Sequence, residues 1–347
     1  MTNLAFNTSG EYQDFPKVDL HRHLEGSLRL STMLDVARKH GMTIPANVVR
    51  LSRLVQVQDE EPLTFENFLG KFNTLRMFYR SPEVIDRITR EAIEDAAKDN
   101  IRYLELRFTP VALSRAERFP LNEVMDWVCE SAKNGARKYG VGVRLIASVN
   151  RHESVELAEQ VIWLAADRIS KGIVGVDLAG NEAQFPARPF LPLFREARQA
   201  GMYITVHAGE WGGPQNVREA IENFEAQRIG HGVRILEDDF ATALAREHKT
   251  GFEVCVTSNY QTGVVKSLPA HPVSKMIAAG LNVTFNTDDP SISNITLSNE
   301  YRVACEELKI NRDVVKQRIL AAANVAFLPE SERKKLADSL QKDLSKV

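Results

Sequence analysis

Cysteine is scarce: 347 residues contain three, Cys129, Cys255 and Cys305, with no Cys-x-x-Cys pair. That excludes a disulfide framework, and all three are expected to be reduced and buried. Charge of one sign is lacking as well. Forty-four Lys and Arg stand against 46 Asp and Glu, for a net charge of -2, with no run of five basic residues. Such a chain offers no positive field to a phosphate backbone, which argues against a nucleic-acid partner. Long apolar runs are missing too. The stretch Val141 to Val149 is broken by Arg144, far short of the roughly 20 residues a membrane helix needs. The first thirty residues hold no signal-peptide core. The expectation is a soluble, cytoplasmic protein without a membrane partner. Low-complexity segments and Gly/Ser linkers are absent, which favours a single domain over residues 1–347 despite a length that would accommodate two.

What the sequence does hold is alternation. Short runs rich in Val, Ile and Leu begin near Val18, Ile101, Gly142, Ile173, Met202, Gln227, Gly251 and Leu281. Between them lie segments of helical periodicity: Ser81 to Asp99, Leu121 to Lys138, Ser154 to Arg168, Pro192 to Ala200, Asn216 to Phe224 and Pro272 to Ala279. Strand and helix alternating eight times predict an α/β fold, the closed parallel (β/α)8 TIM barrel, with strands from about 18 to 287. The interval 28–100 is too long for one crossover. It reads as a helical insertion after strand one, with helices over Leu30 to Lys39 and Phe65 to Tyr79 and a mixed segment rich in Val and Gln between them. An insertion there sits over the C-terminal mouth, where a lid is useful, although a helical decoration without ligand contact fits the pattern as well. Extra C-terminal helices occupy about 297–347, the last over Glu330 to Asp343 and expected to be solvated.

Four of the eight histidines fall at predicted C-terminal strand ends, the face on which TIM barrels build active sites. His21 and His23 flank Arg22, so strand alternation aims both imidazoles into the barrel. Two imidazoles at one point are half a zinc site; two satisfied histidines on a strand explain the pair equally well. His207 ends the fifth strand and opens His-Ala-Gly-Glu, bringing a third imidazole and the Glu210 carboxylate to the same rim. Strand eight runs into Asp288-Asp289-Pro290, adjacent carboxylates that cannot point one way and so divide between metal and substrate, unless they form a plain surface turn. His231, between Gly230 and Gly232, can hold and deprotonate a metal-bound water. Gly180, in Asp177-Leu178-Ala179-Gly180-Asn181-Glu182, can offer its backbone N–H to a ligand.

Taken together, His-x-His-Leu-Glu-Gly-Ser, His-Ala-Gly-Glu, Arg-Ile-Gly-His-Gly, Thr-Ser-Asn-Tyr-Gln-Thr-Gly and Asn-Thr-Asp-Asp-Pro resemble the adenosine deaminase family, in order, from Pro16 to Pro290. Phe327-Leu328-Pro329 extends the likeness. The resemblance implies a zinc-dependent purine deaminase of the amidohydrolase group, with one Zn2+ per chain and a purine nucleoside as its small-molecule partner. On that likeness His21, His23, His207 and Asp288 correspond to the zinc ligands. His231 corresponds to the residue that orients the attacking water and takes its proton, Glu210 to the acid at ring N1, Asp289 to the partner of N7 and Gly180 to the backbone donor at N3. Phe68, Leu69 and Phe72 are similar to the apolar helix that closes over the nucleoside, at a spacing that also serves plain core packing. His23 and Glu25 correspond to substrate contacts, with Glu25 toward the sugar 5'-hydroxyl. Animal members carry Asp at that place and relatives acting on adenine or other 6-aminopurines carry Glu, so adenosine is expected as substrate with those compounds as the alternative. Cys255-Val256 departs from the family's usual Cys-Pro.

Other classes fit less well. A cytidine-deaminase site needs His-x-Glu with Pro-Cys-x-x-Cys, which the chain lacks. A two-metal hydrolase bridged by a strand-four Lys meets Asp177 instead. A catalytically silent binding protein predicts a broken metal or acid position, whereas every one of these positions is filled. His40, His152, His248 and His271 receive no role, beyond a location of His152 near the mouth.

Overall fold

A computed structural model of the chain describes residue 10 and residues 12–347. Eight strands form one sheet in chain order: β1 Lys17–His23, β2 Ile101–Phe108, β3 Gly142–Asn150, β4 Ile173–Ala179, β5 Tyr203–Ala208, β6 Arg228–His231, β7 Gly251–Val254 and β8 Asn282–Phe285. Every neighbouring pair is parallel, and helices separate successive strands, so the (β/α)8 barrel expected from the alternation is what the chain forms. Between β8 and β1 closure falls to a single bridge, Arg22 with Asp288. There the His23 N–H donates to the Asp288 carbonyl at 2.8 Å and the Asp288 N–H to that of His21 at 2.7 Å. The Asn286 side chain accepts from the Leu20 N–H at 2.9 Å. The seam of the barrel is thus stitched by residues that also carry candidate chemistry.

The interval between β1 and β2 holds four helices: α1 Leu30–Lys39, α2 Val48–Val55, α3 Phe65–Leu75 and α4 Pro82–Lys98. Helix α4 starts where the Ser81 hydroxyl accepts from the Val84 N–H and Pro82 takes a first-turn position, where its missing N–H costs nothing. Helix α3 is capped the same way by Thr64. Helix α2 corrects the sequence expectation of a mixed segment: the Asn47 side chain accepts from Val49 and Arg50, and Leu51 and Val55 are its buried residues. The helix expected over Phe65 to Tyr79 ends at Leu75 and tightens into a 3-10 turn, Arg76–Phe78.

Around the rest of the barrel run α5 Pro110–Arg115, α6 Leu121–Tyr139, α7 Val155–Ala166, α8 Leu191–Gln199, α9 Pro214–Glu222, α10 Asp239–Glu247, α11 Val256–Gln261 and α12 Val273–Ala278. After β8 come α13 Pro290–Ser293, α14 Leu297–Arg302, α15 Arg312–Val325 and α16 Glu330–Leu344. Helix α16 is less solvated than expected, because Leu340 and Leu344 are buried. Cys129 and Cys255 are buried as expected. Cys305 is half-buried, since it lies in a π-helical turn, Val303–Glu307, that buries only Val303 and Ala304. Among the described residues no helix is long and apolar enough to cross a membrane.

The barrel interior is layered by charge. Toward the start of the strands Arg228 pairs with Glu105 and, through Nε at 2.5 Å, with Glu253. Its guanidinium lies 3.4 Å from the ring centroid of Phe327, a cation over an aromatic face. Arg107 bridges the next layer, reaching Glu253 at 2.7 Å and Asp177 at 3.2 Å. All five charged side chains are fully buried. Their pairing is what makes that burial tolerable.

Candidate active site

Above this floor the strand ends deliver an imidazole cluster. The ring centroid of His21 lies 5.3 Å from that of His23, 4.7 Å from His207 and 4.9 Å from His231. Glycine makes room for it: a Cβ at Gly230 would stand 3.0 Å from His21 Cε1 and 3.2 Å from His207 Cγ. His231 and Asp288 both take left-handed backbone, with φ of 62° each. Such strain in residues other than Gly persists where the surroundings enforce it, and it gathers at functional sites.

Carboxylates fix the orientation of two of these rings. His21 Nδ1 donates to Glu253 Oε2 at 2.8 Å and His207 Nδ1 to Asp177 Oδ1 at 2.9 Å. Against the upward push of burial, Arg107 and Arg228 hold Glu253 well below the usual carboxylate range, and His207 and Arg107 do the same for Asp177. Ionised partners at Nδ1 leave the Nε2 lone pairs facing the mouth. His21 Nε2 is buried with no hydrogen-bond partner, and Asp288 Oδ1 lies 3.3 Å from Nε2 of both His21 and His23. Ser258 Oγ donates to Asp288 Oδ2 at 2.7 Å.

The acidic groups above behave in the opposite way. Glu210 is buried, and burial together with the nearby Asp288 and Glu182 carboxylates raises its pKa well above the ordinary value. Burial first, then Asp288 and Glu25, does the same for Asp289. Glu25 is pushed up by burial. Its Oε1 accepts from the Thr109 N–H at 2.6 Å, while its Oε2 and Asp289 Oδ1 have no partner. A raised pKa favours the protonated form of a carboxyl, the form able to donate a proton. Glu210 Oε2 stands 3.7 Å from His231 Nε2.

A cavity of about 410 Å³ opens over this cluster, within the range of small-molecule sites. His23, Glu25, His207, Glu210, His231, Asp288 and Asp289 line it, with Gly180 at one side. His21 lies beneath them, fully buried. From α3, Phe68, Leu69 and Phe72 reach the same space. Phe68 and Phe72 are also core residues, 2% and 9% exposed, whereas Leu69 is 36% exposed. The two uses considered for that spacing are therefore shared among the three side chains.

Sequence reasoning passed over the residues that hold this arrangement. Glu182 accepts from the backbone N–H groups of Gly209, Glu210 and Trp211 at 2.9, 2.7 and 2.9 Å and from Asn216 Nδ2 at 2.8 Å. It thereby grips the loop carrying Glu210; its place in the Gly180 motif was the available signal. Asp177 stood out in the sequence only as the strand-four residue in place of a bridging Lys, and Glu253 did not stand out at all. Arg76 and His152 also line the cavity.

The donor set fits a divalent metal. His21 belongs to two groups whose donor atoms lie within 4.8 Å of one another, one with His207 and His231 and one with His23 and Asp288. Imidazoles backed by carboxylates, with one acidic oxygen, are ligands of the type zinc and similar ions take. Cys255 adjoins His231 and Asp288, and burial pushes its thiol pKa well up.

A parallel barrel whose C-terminal mouth gathers such donors beside buried carboxyls of raised pKa has the architecture of the amidohydrolase type of enzyme, a class of metal-dependent hydrolases. Within that class the chain belongs to the adenosine deaminase family, whose model matches residues 16–343, and it is a hydrolytic deaminase. An adenosine deaminase of Klebsiella pneumoniae (strain 342) is 37% identical over 329 residues, 94% of this chain and 98% of the relative. Among solved structures the chain is similar to the N6-mAMP deaminase of Arabidopsis, with 28% identity, a TM-score of 0.83 and coverage of 95% and 99% of the two chains. It is also similar to an amidohydrolase of Burkholderia ambifaria with bound Zn, with 25% identity, a TM-score of 0.86 and coverage of 97% and 94%.

Proposed function

We propose that this chain converts adenosine, and 2'-deoxyadenosine, to inosine or its deoxy counterpart plus ammonia, in the cytoplasm and in the service of purine salvage. One observation carries the proposal: Glu210, a buried carboxyl whose pKa is raised by burial and the neighbouring carboxylates, faces the cavity beside His231 and Asp288.

In this reading His21, His23, His207 and Asp288 hold one Zn2+. Such an ion supplies Lewis-acid activation of water near neutral pH. His231 orients the attacking oxygen. Glu210 gives its proton to purine N1 as C6 becomes tetrahedral, which lets the ring accept the incoming electron pair. Asp289, protonated because of its burial, donates to N7, and the Gly180 N–H donates to N3. Asp289 and Gly180 thus fix the ring plane, so that C6 meets the oxygen and N1 meets Glu210. His23 borders the substrate, and Glu25 Oε2, buried and unbonded, accepts from the sugar 5'-hydroxyl. Phe68, Leu69 and Phe72 cover the purine and exclude bulk water.

A second reading, deamination of adenine or another 6-aminopurine derivative, is favoured by the same Glu25, which has the reach to meet a ligand other than a nucleoside. Ultraviolet absorbance separates the two. Adenosine, adenine and 6-amino nucleoside analogues are supplied in turn to purified, zinc-loaded protein. The proposal expects the highest kcat/KM with adenosine; preference for adenine selects the second reading, and no conversion of any aminopurine refutes both.

A further inference from the structure

Behind the mouth, three buried side chains form a directional hydrogen-bond chain that ends on His231. The Val273 N–H donates to His271 Nδ1 at 3.1 Å. Burial lowers the pKa of His271 to about 3, so the ring is neutral and carries its proton on Nε2. That Nε2 stands 3.2 Å from Asn259 Oδ1, and Asn259 Nδ2 stands 3.0 Å from His231 Nδ1. His271, Asn259 and His231 are 5%, 0% and 1% exposed, so bulk water does not substitute for any of these bonds.

The polarity has one solution. With the amide turned over, its NH2 would face the Nε2–H of His271 and two donors would meet. Moving the His271 proton to Nδ1 offers no escape, because the Val273 N–H already points there. Asn259 therefore donates to His231 Nδ1, and neutral His231 keeps its proton on Nε2. That nitrogen faces Glu210 Oε2 at 3.7 Å and Asp288 Oδ2 at 3.9 Å. Both separations exceed direct hydrogen bonds, leaving space for an oxygen among the three.

We propose that His271, acting through Asn259, is a positioning residue that fixes His231 as its Nε2–H tautomer. His231 then presents a hydrogen-bond donor, rather than a base, to the attacking oxygen, which would have released its proton to solvent on activation, before the purine is attacked. This replaces the expectation from sequence that His231 takes the water's proton. The kinetic consequence rests on the deaminase reading; the tautomer belongs to the folded chain and is measurable without turnover.

Long-range 1H–15N correlation spectra of histidine-labelled protein, zinc-loaded and after chelation, report which ring nitrogen bears the proton. The expected spectrum shows His231 with Nδ1 bare and Nε2 protonated; a proton on Nδ1 overturns the proposal, whether or not any purine is deaminated. Asn259→Asp keeps the shape and accepts from both histidines, which moves the His231 proton to Nδ1. It should lower kcat on adenosine on the order of 100-fold, the scale of losing one oriented donor, with KM changed less than about threefold. A reversed tautomer with normal kcat refutes the donor role. His271→Phe should give a mixture of His231 tautomers, and an unmixed Nε2–H signal would remove His271 from the relay. Should either variant fail to fold, the wild-type spectrum still decides.

Discussion

The two ends of the barrel interior treat buried charge in opposite ways. On the floor, Arg228, Glu105, Glu253, Arg107 and Asp177 are all in ion pairs, and of their polar atoms Arg107 Nε alone lacks a hydrogen-bond partner among the described residues. At the mouth, His21 Nε2, Glu25 Oε2 and Asp289 Oδ1 are buried without partners, and the pKa values of Glu210 and Asp289 are raised by burial and neighbouring carboxylates. Both ends are largely buried, so burial alone does not separate them. Pairing does: satisfied charge holds strands in place, whereas unsatisfied groups converging on a cavity are available to a ligand or a metal. Substitutions at the two ends should therefore fail differently.

The largest effect expected at the mouth comes from Glu210→Gln, which keeps the shape and removes the proton. Turnover of adenosine should fall by about 10²- to 10⁴-fold, with zinc content unchanged. Near-normal turnover would remove Glu210 as the donor. The same variant should be the more stable protein in metal-free form at alkaline pH. A carboxyl whose folded pKa is raised contributes stability that is present below its unfolded value, about 4.3, and is lost as pH rises through the folded value. Thermal melts of the two proteins should coincide near pH 4 and separate as pH rises, in favour of the variant. A constant gap would contradict the direction of the shift.

On the floor the corresponding change is Arg228→Met, which leaves Glu105 with the Tyr103 hydroxyl and the Phe327 N–H but no guanidinium, and leaves Glu253 with Arg107, His21 and Thr205. Removing one member of a buried network costs roughly 3–5 kcal/mol, so the denaturant midpoint should fall steeply and activity should follow the folded fraction. A stable but inactive Arg228→Met would erase the contrast between floor and mouth. Asp177→Asn tests the layer where the two ends meet. Asparagine still accepts from His207 Nδ1 but no longer carries the charge that strengthens the ligand. Zinc affinity, read by chelator competition, should fall about 10- to 100-fold, and unchanged affinity would make Asp177 a floor residue only.

The contrast also explains what the sequence revealed. The strands β2, β3, β4 and β7 begin at Ile101, Gly142, Ile173 and Gly251, where the apolar runs begin. Parallel strands buried on both faces read as continuous hydrophobic segments, and their ends mark the mouth. The imidazoles and acids of the rim follow because each sits at such an end. Helix α2 was illegible because an eight-residue helix burying only Leu51 and Val55 has too little periodic signal. The partners of the rim were illegible for another reason. His21 and Glu253 are 232 positions apart, and His271, Asn259 and His231 meet only through folding. Local spacing encodes which residue stands at a strand end; it does not encode what stands behind it.

The smallest effect tests the third region, the lid, where α3 serves core and cavity together. Phe68 lines the cavity at 2% exposure and Leu69 does so at 36%. Truncating Phe68 opens the core and lowers stability along with activity, so it cannot isolate the covering role. Leu69→Ala can. At 36% exposure its side chain has less buried contact to lose than Phe68, so the melting temperature should fall by no more than a few degrees, in keeping with a loss of about 1 kcal/mol or less. Only the apolar area laid over a bound purine is removed. Losing part of that cover should raise KM for adenosine by about 3- to 10-fold, worth roughly 0.6–1.4 kcal/mol of contact, with kcat within about twofold because the reacting groups stand on the barrel. If KM is unchanged, Leu69 is a surface residue that merely borders the cavity. If kcat falls in step with KM, closure of α3 contributes to the arrangement of Glu210 and His231, and mouth and lid act as one unit.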